Sequence, residues 1–274
     1  MALTPEQKMA LRKLLIYAAA AIVSTWVLAP IVLITISAFA LPEDYYNLGK
    51  IIPTRFTMEN VTDLLFVLKG WISTLNSVLV ALITIAVSFA LGLPAGYAIA
   101  RYVFPGRDTI KLLIIALRMF PVMAMAIPLA VLYIELGLSD TLFGVALAHT
   151  SMALPFVVLI TSSIFVSVPV EYEEAGMVFG LSRSEVFFRI TLPLALPGLA
   201  AAAIFTFVMS WNEVFIASVL TLVNRTLPAD ILVSAMAAPD PYKFAGGFIM
   251  VLPAMSFVFI ARRYLVTMWG ITLR

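Results

Sequence analysis

The sequence predicts an all-α membrane protein with six transmembrane helices, and three observations carry the prediction. The 274 residues are 63% hydrophobic and only 12% charged, whereas soluble domains carry about 25% charged residues. Several apolar windows exceed the roughly 18–20 residues needed to cross a bilayer. None of them alternates apolar and polar residues as the strands of a membrane barrel would. A soluble core needs one apolar face per helix, not apolar surface all round. Cysteine is absent, which excludes disulfides, thiolate catalysis and cysteine metal sites. The net charge of +2 gives no sign of a nucleic-acid partner.

Turn residues and charges place the spans at about 14–40, 72–98, 110–136, 142–167, 196–222 and 244–264. The first follows Lys8, Arg12 and Lys13 and ends near Ala38-Phe39-Ala40, a pattern that a signal peptidase accepts. A signal h-region is about 7–15 residues, so this longer run is expected to stay as an anchor. Between the first two spans, Pro42, Asn47, Gly49 and Pro53 read as turns. No internal repeat is evident, and a single membrane domain over residues 1–274 is expected.

Basic residues stay on the cytoplasmic side. With the N-terminus inside, Lys8, Arg12, Lys13, Arg101, Arg107, Lys111, Arg183, Arg189, Arg262, Arg263 and Arg274 fall inside. Lys50, Arg55, Lys69, Arg225 and Lys243 fall outside. The bias predicts a multi-pass protein of the cell (inner) membrane with both termini cytoplasmic.

The loop at about 168–195 then faces the cytoplasm. It contains EYEEAGMVFGLSRSEVFFRITLP, the longest charge-rich stretch of the chain. Pro169 suits a helix start. Glu171, Glu173 and Glu174 favour the positive end of that helix. Gly180 suits its end. Ser182-Arg183-Ser184-Glu185 reads as a capping box for a second helix, expected to run to about Leu192, before Pro193. A short helix at the membrane surface is either a handle for a partner or a plain connector.

Here the sequence resembles a family. Glu174-Ala175-Gly176, then Gly180, then Ile190-x-Leu192-Pro193 matches the EAA motif of ABC importer permeases in residues and spacing. The motif's second alanine is glycine here, at Gly176, and Phe179 stands where many relatives carry an acid. The stretch PAGYAIARYVFPGRD (94–108), Leu154-Pro155-Phe156, Trp211-Asn212-Glu213 and Arg262-Arg263-Tyr264 are similar to further stretches of carbohydrate-type permeases. The ending Trp269-Gly270-Ile271-Thr272-Leu273-Arg274 departs from the family's usual one. The resemblance is closest to the smaller permease of maltose- and trehalose-type sugar importers, and it implies the type I importer fold (MetI-like) with a cytoplasmic coupling helix.

The resemblance also implies partners: a dimer of ABC ATPases, a second permease of different sequence and an extracytoplasmic sugar-binding protein, all within membrane lipid. The chain has no G-x-x-x-x-G-K-[ST] loop to cradle ATP phosphates, so no enzyme activity or cofactor is expected in it. ATP and Mg2+ would belong to the ATPase. Glu174, Ala175, Gly176, Gly180, Ile190, Leu192 and Pro193 would couple to that ATPase, with Glu174 pairing a basic residue and the small residues letting backbones approach.

Ionisable residues inside spans usually face a cavity or a partner. His149, Trp211, Asn212, Glu213, Asn76 and Arg118 are the candidates for a substrate pathway, each with a plain interhelical hydrogen bond as the competing reading. Arg118 suits a gate, a cross-subunit pair or a snorkelling residue equally. Asn224, Arg225 and Asp230 lie in an outer loop that resembles the one relatives insert into the sugar-binding protein. A permease for a non-sugar solute, such as a phosphorylated polyol, is the alternative. An ion-coupled secondary transporter would need acidic residues at the midplane, and none pair there.

Overall fold

A computed structural model describes residues 5–47, 52–234 and 238–268. Gly49, Lys50 and the 269–274 ending lie outside the described residues. The described residues are helical apart from turns and one isolated bridge between Ala40 and Phe56. Four described helices are long and apolar enough to cross a membrane, and a fifth span forms if one bent pair counts as one. Contacts divide the chain into two units, residues 1–68 with 237–251, and residues 69–236 with 252–274.

In the first unit, α1 (Pro5–Ala38) is 34 residues long and exposes apolar side chains all round, as a lipid-facing helix does. Two short helices follow, α2 (Pro42–Tyr45) and α3 (Glu59–Thr62). The connection between them folds on buried polar groups. The Asp44 carboxylate accepts the amides of Thr54 and Arg55, and the Asn60 amide donates to the carbonyls of Ala38 and Ala40. Buried carboxylates and amides persist where they are bonded in this way.

The second unit is built on α4 (Gly70–Arg101), α7 (Leu142–Ser167) and α10 (Leu192–Trp211). Small residues let α4 and α7 approach closely. A Cβ on Gly92 would meet Val157 at 2.6 Å, and one on Gly96 would run into the Thr161 hydroxyl and lie 3.0 Å from the Ser162 amide nitrogen. Close approach through small residues is how helices associate in lipid, where no hydrophobic drive holds them together. Buried hydroxyls turn back onto their own helices: Thr84 to Val80, Thr150 to Ala146 and Thr206 to Ala202.

The span expected at 110–136 is not one straight helix. Two helices stand there, α5 (Arg107–Leu117) and α6 (Val122–Glu135), bent by 88° at the break. Pro121 is the cause, since it has no N–H to give and keeps the residue before it out of the helical region. The span expected at 196–222 is also divided. After α10 the chain turns at Asn212 to Val214 and resumes as α11 (Phe215–Leu220). Next come α12 (Leu227–Ser234) and α13 (Asp240–Met268), which holds the residues expected in the sixth span.

Candidate functional site

The polar loop folds as its turn residues predict. Helix α8 (Val170–Val178) follows Pro169, and Glu171 and Glu173 lie in its first turn. It ends in a Schellman motif. The Leu181 amide donates to the Gly176 carbonyl and the Gly180 amide to that of Met177. Gly180 has φ +89°, a conformation that glycine adopts without steric cost. Ser182 then caps α9 (Arg183–Val186), with Glu185 reaching back to the Ser182 amide at 3.0 Å. That amide and the Ser182 hydroxyl hold the Glu185 carboxyl below its ordinary pKa.

The second helix does not stop at Leu192. It passes through a π-turn, Phe187–Thr191, straight into α10, so residues 183–211 run as one helix. Pro193 sits in the first turn of α10. A proline frees the carbonyl four residues earlier, here that of Arg189, and the widened π-turn takes up the mismatch.

The motif's residues divide between two faces. Glu174 and Ala175 are exposed, beside the exposed apolar side chains of Tyr172, Val178 and Phe179. Gly176 is buried and faces its own chain. A Cβ there would lie 2.5 Å from Ile190 and 3.2 Å from Val186. Its small size serves the packing of α8 on the second helix rather than an outside backbone, which corrects the expectation for Gly176. Ile190 and Leu192 are half-buried, and Gly180 and Pro193 are exposed.

Glu173, expected only to favour the helix start and not among the coupling residues, is 4% exposed. Its carboxylate accepts from Arg101 at 2.7 and 2.8 Å and from the Tyr97 hydroxyl at 2.8 Å. Arg101 also donates to the Val168 carbonyl at 2.8 Å. All the partners sit at one end of α4 or beside the start of α8. The sequence offers a lone arginine ending an apolar helix and three acids opening a polar one, without marking which acid turns inward.

A second polar cluster joins α7 to the end of α10. His149 is fully buried. Its Nδ1 lies 2.8 Å from the Ser210 hydroxyl and its Nε2 3.1 Å from Glu213. Glu213 also accepts the amides of Ile216 and Ala217, so it caps α11 across the break. Trp211 is buried and stacks on Phe207. Asn212 is exposed and donates to Val208 of its own helix. Arg118 stands apart, stacked over the Phe156 ring. Asn76 is bound elsewhere, to the Arg225 carbonyl.

The loop after α11 is pinned to α4 and to Asp140. Ser73 donates to Asp230, and the Leu227 amide donates to Ser77. Asp140, itself at φ +56°, accepts the amides of Leu222, Val223 and Asn224 at 2.9–3.0 Å. Partial burial works to raise its carboxyl, but those three amides, with Arg225 nearby, outweigh it and hold the pKa below the ordinary range. Among the described residues no group of three or more His, Cys, Asp or Glu could hold a metal ion.

Residues 92–267 match the model of the binding-protein-dependent transport system inner membrane component. The chain belongs to that family. It is therefore a membrane permease subunit. Its relatives include the trehalose transport system permease protein SugB of Mycobacterium tuberculosis, 30% identical over 80% of this chain and 82% of that protein. The alpha-glucoside transport system permease protein AglG of Rhizobium meliloti is 31% identical over 78% of this chain and 59% of that protein. A solved structure of a bacterial ABC transporter that imports the acidic polysaccharide alginate matches with a TM-score of 0.76, at 18% identity, over 96% of this chain and 99% of that one. That likeness shows the fold, and it is the importer-permease fold that the EAA resemblance implies.

Proposed function

We propose that this permease moves a sugar, a mono- or oligosaccharide, from an extracytoplasmic binding protein into the cytoplasm, driven by a separate ATPase pair. The observation that carries the coupling half of this reading is helix α8. It presents Glu174 and an apolar face outward while its other face is fixed to the chain by Glu173. A helix used only as a connector has no need of such a division. Sugar is supported by the names of the relatives, which transport trehalose and alpha-glucosides.

In this reading ATP and Mg2+ sit on the ATPases, which close on ATP and draw α8 with them. The spans then turn as rigid bodies and open the pathway to the other side, which is alternating access by domain closure. A second permease, of different sequence, completes the pathway. Glu174 pairs with a basic residue of the ATPase. The loop holding Asn224, Arg225 and Asp230 meets the binding protein. His149, Trp211, Asn212, Glu213, Asn76 and Arg118 are the candidate pathway residues, with the His149–Glu213 cluster the best placed, because it lies where the fifth span breaks. Both termini face the cytoplasm, as the basic residues favour. Copurification tests the assembly: tagged chain should bring down two ATPase copies, and a chain that elutes alone and transports without ATP contradicts it.

A further inference from the structure

We infer that Glu173, Arg101 and Tyr97 form the latch through which movement of α8 reaches the second span. This rests on the coupled-importer reading above and adds positioning residues to it. Ends of helices are poor levers unless something fixes them. Helix α8 has nine residues, too few to be stable alone in water. The chain on either side of it turns at Pro169 and Gly180. Gly176 packs it on the second helix, but a pull on its exposed face would move that pair alone, were nothing to tie α8 to another span.

That tie is the buried carboxylate of Glu173. It bridges α8 to two residues one helical turn apart on α4, Tyr97 and Arg101. Arg101 adds a bond to the Val168 carbonyl, just before α8 begins. The bonded groups are nearly water-free, with Glu173 and Arg101 side chains 6% and 11% exposed. Charge-assisted bonds of this kind are short and fixed in direction. The Tyr97 ring is also wedged edge-on against Phe165 and Phe187, which lie before and after α8. Displacement of α8 is thus handed to α4, and α4 packs closely on α7 through Gly92 and Gly96. Glu174 grips the motor in the proposed function, and Glu173 grips the membrane part.

The test uses the whole transporter reconstituted with its ATPases, partner permease and binding protein. Sugar taken up per ATP hydrolysed is compared for wild type, Tyr97→Phe, Glu173→Gln and a control, Thr74→Val, whose lost bond to the Gly70 carbonyl stays within α4. Tyr97→Phe keeps the ring and removes one hydrogen bond to a carboxylate, so the ratio should fall about tenfold, the lower end of the worth of such a bond, and further for Glu173→Gln. The control should keep the wild-type ratio. A ratio unchanged in Tyr97→Phe and Glu173→Gln, or lowered equally by Thr74→Val, overturns the latch.

A second readout is independent of the substrate. The chain has no cysteine, so Leu91→Cys and Glu171→Cys give two labelling sites, on α4 and α8. The distance between spin labels there should stay narrow with and without ATP in wild type and broaden in Glu173→Gln. An equally narrow distribution in that variant overturns the latch. If wild type takes up no sugar, the sugar-importer reading fails, and the label distances alone decide the latch.

Discussion

Glu173 and Glu174 are neighbours in sequence and point to different surroundings. Successive residues of an α-helix are about 100° apart, so one carboxylate can be buried while the next is exposed. Exposed Glu174 is open to a partner. In the proposed function, Glu174→Ala should abolish most ATP-driven uptake without lowering the amount of protein in the membrane, which uptake assays and immunoblotting would check together. Normal uptake at normal abundance would remove Glu174 from the coupling. Gly176 allows a sharper prediction. Its hypothetical Cβ meets the flexible tip of Ile190 at 2.5 Å and a Val186 methyl at 3.2 Å, side chains and no backbone, so Gly176→Ala should cost under about 1.5 kcal/mol, because alanine also favours the helix. Adding Ile190→Val should recover that loss, a non-additivity that thermal unfolding of the purified protein would read. Gly176→Leu should cost about 1–3 kcal/mol by overpacking.

The motif residues were legible because they follow fixed local spacings, and the Gly180 stop and the Ser182 cap formed where their chemistry placed them. Glu173 was not legible. Its partner Arg101 is 72 residues away in sequence, and nothing local distinguishes a buried acid from an exposed one in a run of three. Asn76 and His149 looked alike as polar residues within spans, yet the fold gives them different partners.

At the scale of elements, close packing sets what the helices tolerate. A Cβ on Gly96 would crowd the Ser162 backbone as well as Thr161, and backbone cannot swing aside. Gly96→Val should therefore separate α4 from α7 and lower the unfolding temperature of the purified protein far more than Gly176→Ala does. The loop after α11 carries a pH dependence. The Asp140 carboxyl titrates below its ordinary value, so its hold on Leu222, Val223 and Asn224 is complete above the unfolded pKa and is lost as pH falls through the folded one. Amide exchange at those three residues should speed up in acid, and Asp140→Ala should show the fast rate at neutral pH. Rates that match wild type would detach Asp140 from the loop.

Hydropathy located helices and missed their interruptions. The 88° bend between α5 and α6 falls where Pro121 stands, a residue visible in the sequence. Membrane helices often keep prolines unbroken, as α4 and α7 do with Pro94 and Pro155, so the residue alone does not decide. The π-turn before Pro193 is the converse case, a proline that seemed to end a helix and instead sits within one.

At the scale of the molecule, the class followed from composition and the family from the spacing of one polar loop, while the burial that fastens this loop to the membrane part needed the fold. In the proposed function, sugar crosses with this permease only when a partner ATPase works it. The direct measurement is uptake of a panel of labelled sugars, with trehalose and alpha-glucosides among them, into vesicles holding the reconstituted complex. Uptake that needs both ATP and the binding protein, and that is selective for at least one sugar, is the predicted result. Uptake of any solute driven by an ion gradient without ATP, or ATP-driven uptake that accepts no sugar, would contradict it.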